Sequence, residues 1–168
     1  MTSGMRKGLI VAAIHLALVS SLGAKLLIDR ATRPRVWART APVDPNLPIR
    51  GRYVQLRIEG RASGEQSDWW EWAPVTLRVD NGVLMFDRVD ESAGSRLRAR
   101  TTATRGGDRV AQLNQPLAYF IPEHVPDPSR RGPGEELWVE VTLPKAGPPR
   151  PIRLGVKKDG VLTPLDLD

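Results

Sequence analysis

From Gly8 to Ile28 the chain is almost wholly apolar, and this run comes directly after Arg6 and Lys7. A helix rises about 1.5 Å per residue, so about 20 residues cross a hydrocarbon core ~30 Å thick. The run meets that length, which ties the chain to a membrane and leaves the residues beyond Arg30 to fold in water. We expect a tail over 1–7 and a transmembrane helix over 8–29. Hydroxyls such as Ser20 and Ser21 can bond carbonyls of their own helix, and Lys25 lies near enough to one end to reach the headgroups. His15 reads as a neutral imidazole bonded to a neighbouring helix or to water rather than as a proton or partner contact, because no second polar residue shares its depth. A basic start and apolar middle also describe a cleaved secretory signal, with Ser21-Leu22-Gly23 as a weak cleavage site. The run continues through Leu26-Leu27-Ile28, and that length favours a retained anchor. The chain has no cysteine, so it lacks the lipid attachment point of a lipoprotein.

The positive-inside count sets Arg6 and Lys7 against Arg30, Arg33, Arg35 and Arg39. Taken alone, it holds the remaining domain in the cytoplasm. Net charge is +6 over the 168 residues. A basic surface beside a bilayer attracts anionic headgroups, and nucleic acid is the other partner such a charge suggests. Residues 30–50 carry Pro34, Pro42, Pro45 and Pro48 and read as an extended linker.

Beyond Gly51 the hydrophobic period is two. Val54, Leu56 and Ile58 alternate with Tyr53, Gln55 and Arg57, and Val75, Leu77 and Val79 repeat the pattern. Asn81-Gly82 supplies the positive φ angles of a tight hairpin into Val83–Phe86. Leu97, Ala99 and Thr101 alternate with Arg96, Arg98 and Arg100. Gly106-Gly107-Asp108 turns the chain into Arg109–Leu113. Leu137, Val139, Val141 and Leu143 form the next strand, and Asp159-Gly160 makes a second hairpin. About eight short strands with turns between them predict an all-β domain over 51–168. The expected architecture is an antiparallel sandwich or partly open barrel behind one N-terminal transmembrane helix.

Two passages resemble a known family. Pro42-Val43-Asp44-Pro45 leads to Gly51-Arg52-Tyr53-Val54-Gln55-Leu56-Arg57-Ile58, and Tyr119-Phe120-Ile121-Pro122-Glu123 comes later. Their order and spacing resemble the GDYxxLxY family, small membrane-anchored bacterial proteins of unknown function, across essentially the whole chain. The matching positions are Gly51, Tyr53, Leu56, Tyr119, Phe120, Pro122 and Glu123. The chain departs at Arg52, where the family has aspartate, at Ile58, where it has tyrosine, and at His124, where it has glycine. The resemblance implies a bacterial inner-membrane protein, an extracytoplasmic domain and a multi-pass membrane partner. The same residues have a local reading. Gly51 opens the strand, Tyr53 covers the second face of the sheet, and Pro122 ends pairing.

Catalytic constellations fail on residue type and placement. A membrane-anchored Ser-Lys peptidase needs a serine just beyond the bilayer and a buried lysine, whereas Lys145, Lys157 and Lys158 lie in turn-like sequence. His124 is the one histidine outside the membrane run, and no Gly-x-Ser-x-Gly elbow accompanies it. Zinc chemistry lacks its usual ligands. Asp87, Asp90 and Glu91, and the pair Glu135-Glu136, read as solvated carboxylates. Gly106-Gly107 lacks the Lys-Ser/Thr of a phosphate loop. We therefore expect no enzyme, no metal and no cofactor.

Two features suggest binding. Trp69-Trp70-Glu71-Trp72 gathers three of the five tryptophans. These indoles either dock a partner or enter the core at Trp70 and Trp72, with Trp69 capping the edge. Arg96, Arg98 and Arg100 form a like-charged row that must face acids, anionic lipid or carboxylates of the next strand. No aromatics interleave with that row, which weakens nucleic acid as the partner. The expected function is an accessory domain docking on an integral membrane protein, with anionic lipid as a secondary contact. The alternative is a small-ligand barrel with Tyr53, Tyr119 and the tryptophans lining its pocket.

Overall fold

The computed structural model describes residues 3–41, 53–64, 69–103, 109–145 and 147–167. Gly51, Arg52, the prolines at 42, 45 and 48, and the Gly106-Gly107-Asp108 turn lie outside the described residues. Two compact units divide the chain, Met1–Arg33 and Pro34–Asp168.

The first unit is helix α1, Ser3–Thr32. Within it, the 26 residues Gly4–Asp29 are long and apolar enough to cross a membrane. Its polar side chains turn onto their own backbone. His15 Nδ1 donates to the Val11 carbonyl and Ser21 Oγ to that of Leu18, both at 2.8 Å. At the C-terminal end, Arg33 pairs with Asp29 at 2.8 Å. Pro34, which cannot donate to the helical ladder, comes next.

The second unit is a ten-stranded sheet. Its strands are β1 Arg35–Ala41, β2 Tyr53–Ala62, β3 Ala73–Asp80, β4 Val83–Arg88, β5 Arg98–Ala103, β6 Arg109–Leu113, β7 Leu117–Phe120, β8 Glu135–Thr142, β9 Arg150–Lys158 and β10 Val161–Pro164. Their order is β10-β9-β8-β1-β2-β4-β3-β5-β6, with β7 on β2 and a further pairing of β6 with β2. Strands β2, β4, β3, β5 and β6 therefore pair in a circuit. Two of its seams are short, with β2–β4 parallel over Arg61–Met85 and Ala62–Phe86, and β3–β5 joined only at Ala73–Ala99 and Pro74–Arg98. The ring is thus a partly open barrel, and β1, β8, β9 and β10 continue the sheet from the other part of β2.

Strand β2 is the hub. Glu59 pairs with Arg39 of β1 on one edge and Gln112 of β6 on the other, while Tyr53–Leu56 pair with β7. The expected alternation holds: Val54, Leu56 and Ile58 are buried together with Val75, Leu84 and Phe86 in one core. Gly60 makes the β2–β4 seam. A Cβ there would lie 2.5 Å from the Leu84 carbonyl oxygen and 2.7 Å from the Phe86 ring. Asn81 (φ 49°) and Gly82 (φ 76°) form the predicted β3–β4 hairpin, and Asp159 (φ 50°) and Gly160 (φ 83°) form the β9–β10 hairpin.

One expectation is corrected. Residues 30–50 are not a continuous linker, because β1 occupies 35–41 and pairs with both β2 and β8. Prolines 34 and 42 bracket this stretch but none falls inside it, so every residue of Val36-Trp37-Ala38-Arg39-Thr40 keeps its backbone donor. Its alternation buries Val36, Ala38 and Thr40. The 1–7 tail is likewise helical from Ser3.

Candidate functional site

Trp69–Trp72 form a turn that leads into β3 and is clamped onto β5. Trp70 is buried, and Thr101 grips it on both sides. The Trp70 N–H donates to Thr101 Oγ1 at 2.8 Å, and the Thr101 N–H donates to the Trp70 carbonyl at 3.0 Å. The Trp70 indole nitrogen is buried without a hydrogen-bond partner. Trp72 sits at φ 53°, a conformation bulky side chains rarely adopt and one that costs on the order of 1–3 kcal/mol. Two arginines hold it there. Arg98 Nη1 donates to the Trp72 carbonyl at 2.9 Å, and the Arg100 guanidinium lies 5.1 Å from the Trp72 ring centroid. Trp72 ends half-buried, whereas Trp69 is left 60% exposed. Trp70 thus enters the core, one of the two outcomes its sequence allowed, while Trp69 projects into solvent. Beside the turn lies a cleft of about 320 Å³, lined by Trp69, Glu71, Trp72, Arg88, Asp90 and Arg98 among others.

The arginine row resolves into three separate roles. Arg98 also binds Glu91 at 2.8 Å, which fixes the 3-10 turn Glu91–Ala93 beside the tryptophans. Arg100 faces no carboxylate on the next strand; Gln112 stands opposite and accepts from it at 3.2 Å. Gln112 Nε2 passes the contact on to buried Glu59 at 2.7 Å. Arg39 lies 3.8 Å from Glu59 and 3.0 Å from Glu136, and Glu136 accepts from the Trp138 indole at 3.1 Å. This polar row crosses β5, β6, β2 and β1 through directly opposed residues and reaches Glu136 of β8 diagonally, so Arg100 is engaged across the sheet while Arg98 is paired with Glu91. Arg96 precedes β5 and takes no part in it.

Arg96 instead borders a second concavity of about 580 Å³, built from Val75–Leu77, Ala93–Leu97, Leu143–Lys145, Gly147 and Pro149. Sequence reasoning missed this groove because its walls are three segments far apart in the chain. The one local signal was Gly94, whose φ of 66° turns the loop back toward β3.

The tyrosines do not converge. Tyr53 pairs opposite Phe120, with ring centroids 5.9 Å apart and planes at 63°, while Tyr119 pairs opposite Val54. Successive residues of a strand point to opposite faces, so Tyr53 and Tyr119 cannot line one pocket. Tyr119 packs against the core and its hydroxyl donates to the Ile152 carbonyl at 3.4 Å. Phe120 is 77% exposed beside Tyr53. Leu56 is a core residue, β7 ends two residues before Pro122, and Glu123 and His124 are exposed in the loop beyond. Among the described residues, no three His, Asp or Glu side chains gather as metal ligands. No protein-family model, curated protein or solved structure matches the chain.

Proposed function

We propose that this chain is a single-pass, membrane-anchored accessory protein whose β-domain docks on an integral membrane protein without catalysing a reaction. The observation that carries the reading is Trp69: a large amphipathic side chain, 60% exposed, on a turn that Thr101, Arg98 and Arg100 hold rigid. The braces act on Trp70 and Trp72 and so fix the turn that carries Trp69, and an exposed tryptophan is among the side chains most enriched at interface hot spots. The apolar helix supports the membrane setting. The resemblance to the GDYxxLxY family, carried by Gly51, Tyr53, Leu56, Tyr119, Phe120, Pro122 and Glu123, motivates the bacterial inner membrane, the extracytoplasmic side and a multi-pass partner.

The test is photo-crosslinking in native membranes with a photoreactive side chain in place of Trp69, and a second probe in place of exposed Val161 for comparison. The reading expects one multi-pass membrane protein to dominate the adducts at 69 and to be absent at 161. Equal labelling at both positions, or lipid adducts alone at 69, would overturn it.

A further inference from the structure

We propose that the 580 Å³ groove is a binding site for one anionic lipid, taking the headgroup phosphate at its rim and the first part of an acyl chain along its floor. The volume lies within the ~300–1,000 Å³ typical of small-molecule sites. The floor is apolar, with Val75, Leu97 and Leu143 all buried beneath it. Two exposed cations from separate chain segments, Arg96 and Lys145, line the groove, and no carboxylate does. Neither cation has a hydrogen bond or ion pair within the described residues, although Arg98 and Arg100, the next members of the same row, are both engaged. Two uncompensated cations over an apolar floor complement a ligand with one negative group and a hydrocarbon body.

The wall is also a built one. Ser95 Oγ donates to the Val75 carbonyl at 2.6 Å and accepts the Leu97 N–H at 3.2 Å, fixing the segment that presents Arg96.

Position favours a bilayer lipid over a free solute. The Leu143 N–H donates to the Pro34 carbonyl at 3.1 Å, so this wall is bonded to the point where the chain comes in from the helix. Four residues of chain, five Cα–Cα steps, separate Asp29, the end of the apolar span, from Pro34. Fully extended, they reach at most about 18 Å. Chain length alone therefore keeps Pro34, and the groove wall bonded to it at Leu143, within about 18 Å of the end of the apolar span. An anionic surface lowers the free energy of nearby Lys and Arg, and a fixed pair converts that diffuse attraction into a site. The site is independent of Trp69 docking, so either can fail alone.

Because the chain has no cysteine, a single Thr76→Cys substitution gives a unique attachment point for an environment-sensitive dye at the groove. The full chain in neutral detergent is titrated with dihexanoyl phosphatidylglycerol, dihexanoyl phosphatidylcholine and inorganic phosphate. The proposal expects a saturable shift with the first, and affinity for the other two weaker by about tenfold or more, the scale of one lost charge-assisted hydrogen bond. Arg96→Gln with Lys145→Gln should abolish the preference, while Arg130→Gln, on an exposed loop outside the groove, should leave it unchanged. Phosphate binding as tightly as the anionic lipid would reduce the groove to an anion site. Equal affinity for both lipids would reduce it to an apolar cleft. An undiminished preference in the double variant would place binding elsewhere. Each of these results overturns the proposal. Crosslinking at position 69 in the double variant should remain intact.

Discussion

Replacing Gly60 with alanine tests the closure of the β-ring. The added methyl would sit 2.5 Å from the Leu84 carbonyl oxygen and 2.7 Å from Phe86 Cε2, against 3.4 Å for ordinary contact. Neither neighbour can yield cheaply. The carbonyl belongs to β4 at its seam with β2, and Phe86 is fully buried in the core. Overpacking of this kind costs about 1–3 kcal/mol. Alanine also narrows the unfolded ensemble, which returns about 0.4–1 kcal/mol, so the clash wins by about 1–2 kcal/mol. All five tryptophans lie beyond α1, so tryptophan fluorescence during urea unfolding of the full chain in detergent reports on the β-domain alone. With a urea slope of about 2 kcal/mol/M, the midpoint should fall by about 0.5–1 M. Gly132→Ala is the control. Its methyl would meet nothing closer than 3.6 Å, and the gain from the unfolded chain should leave the midpoint level or slightly higher. A Gly60→Ala midpoint equal to or above that of the unsubstituted chain would refute the reasoning about the seam.

Thr101→Val removes the acceptor of the buried Trp70 N–H while keeping the shape of the side chain; it should cost about 1–3 kcal/mol in the same unfolding assay and weaken crosslinking at position 69. Gly155→Ala should push the Trp37 ring, 2.9 Å from the added methyl, out from under the Arg153 guanidinium that lies 5.4 Å above it, which near-UV circular dichroism would register as a changed tryptophan band. Glu135 is held below the ordinary carboxylate range first by the Gly132 N–H and then by Lys158. A carboxylate depressed in the folded state contributes stability that is full above its unfolded value of about 4.3 and is lost as pH falls through the lower folded value. Carbon-detected NMR titration should place Glu135 below the ordinary range, and Lys158→Ala should raise its midpoint only part of the way, because the Gly132 N–H remains.

Legible in the sequence are the features that local pattern controls. Period-two alternation marked the buried faces of β2, β3, β5 and β8, and Asn81-Gly82 and Asp159-Gly160 named two hairpins by their need for positive φ. Strand β1 was hidden because flanking prolines dominate the composition of 30–50, although the strand between them alternates cleanly. Ring closure was invisible, since the β2–β4 seam is parallel, short and dependent on a missing side chain at Gly60. The site divided in the same way. Trp70 entering the core agrees with the burial habit of indole, but the positive φ of Trp72 and its two arginine braces are tertiary facts. So is the split of Arg96, Arg98 and Arg100, which share a sequence pattern and no common partner.

The central claim, a β-domain held at the membrane by its own helix, is tested most directly by alkaline extraction of membranes containing the full chain, combined with reporters placed after Asp168 that are active on only one side of the membrane. The account predicts an uncleaved chain in the membrane pellet and activity only of the extracytoplasmic reporter. A shortened chain released into the supernatant would contradict the anchor. An intact pelleted chain with an active cytoplasmic reporter would contradict the orientation and leave the arginines after the helix as its determinant.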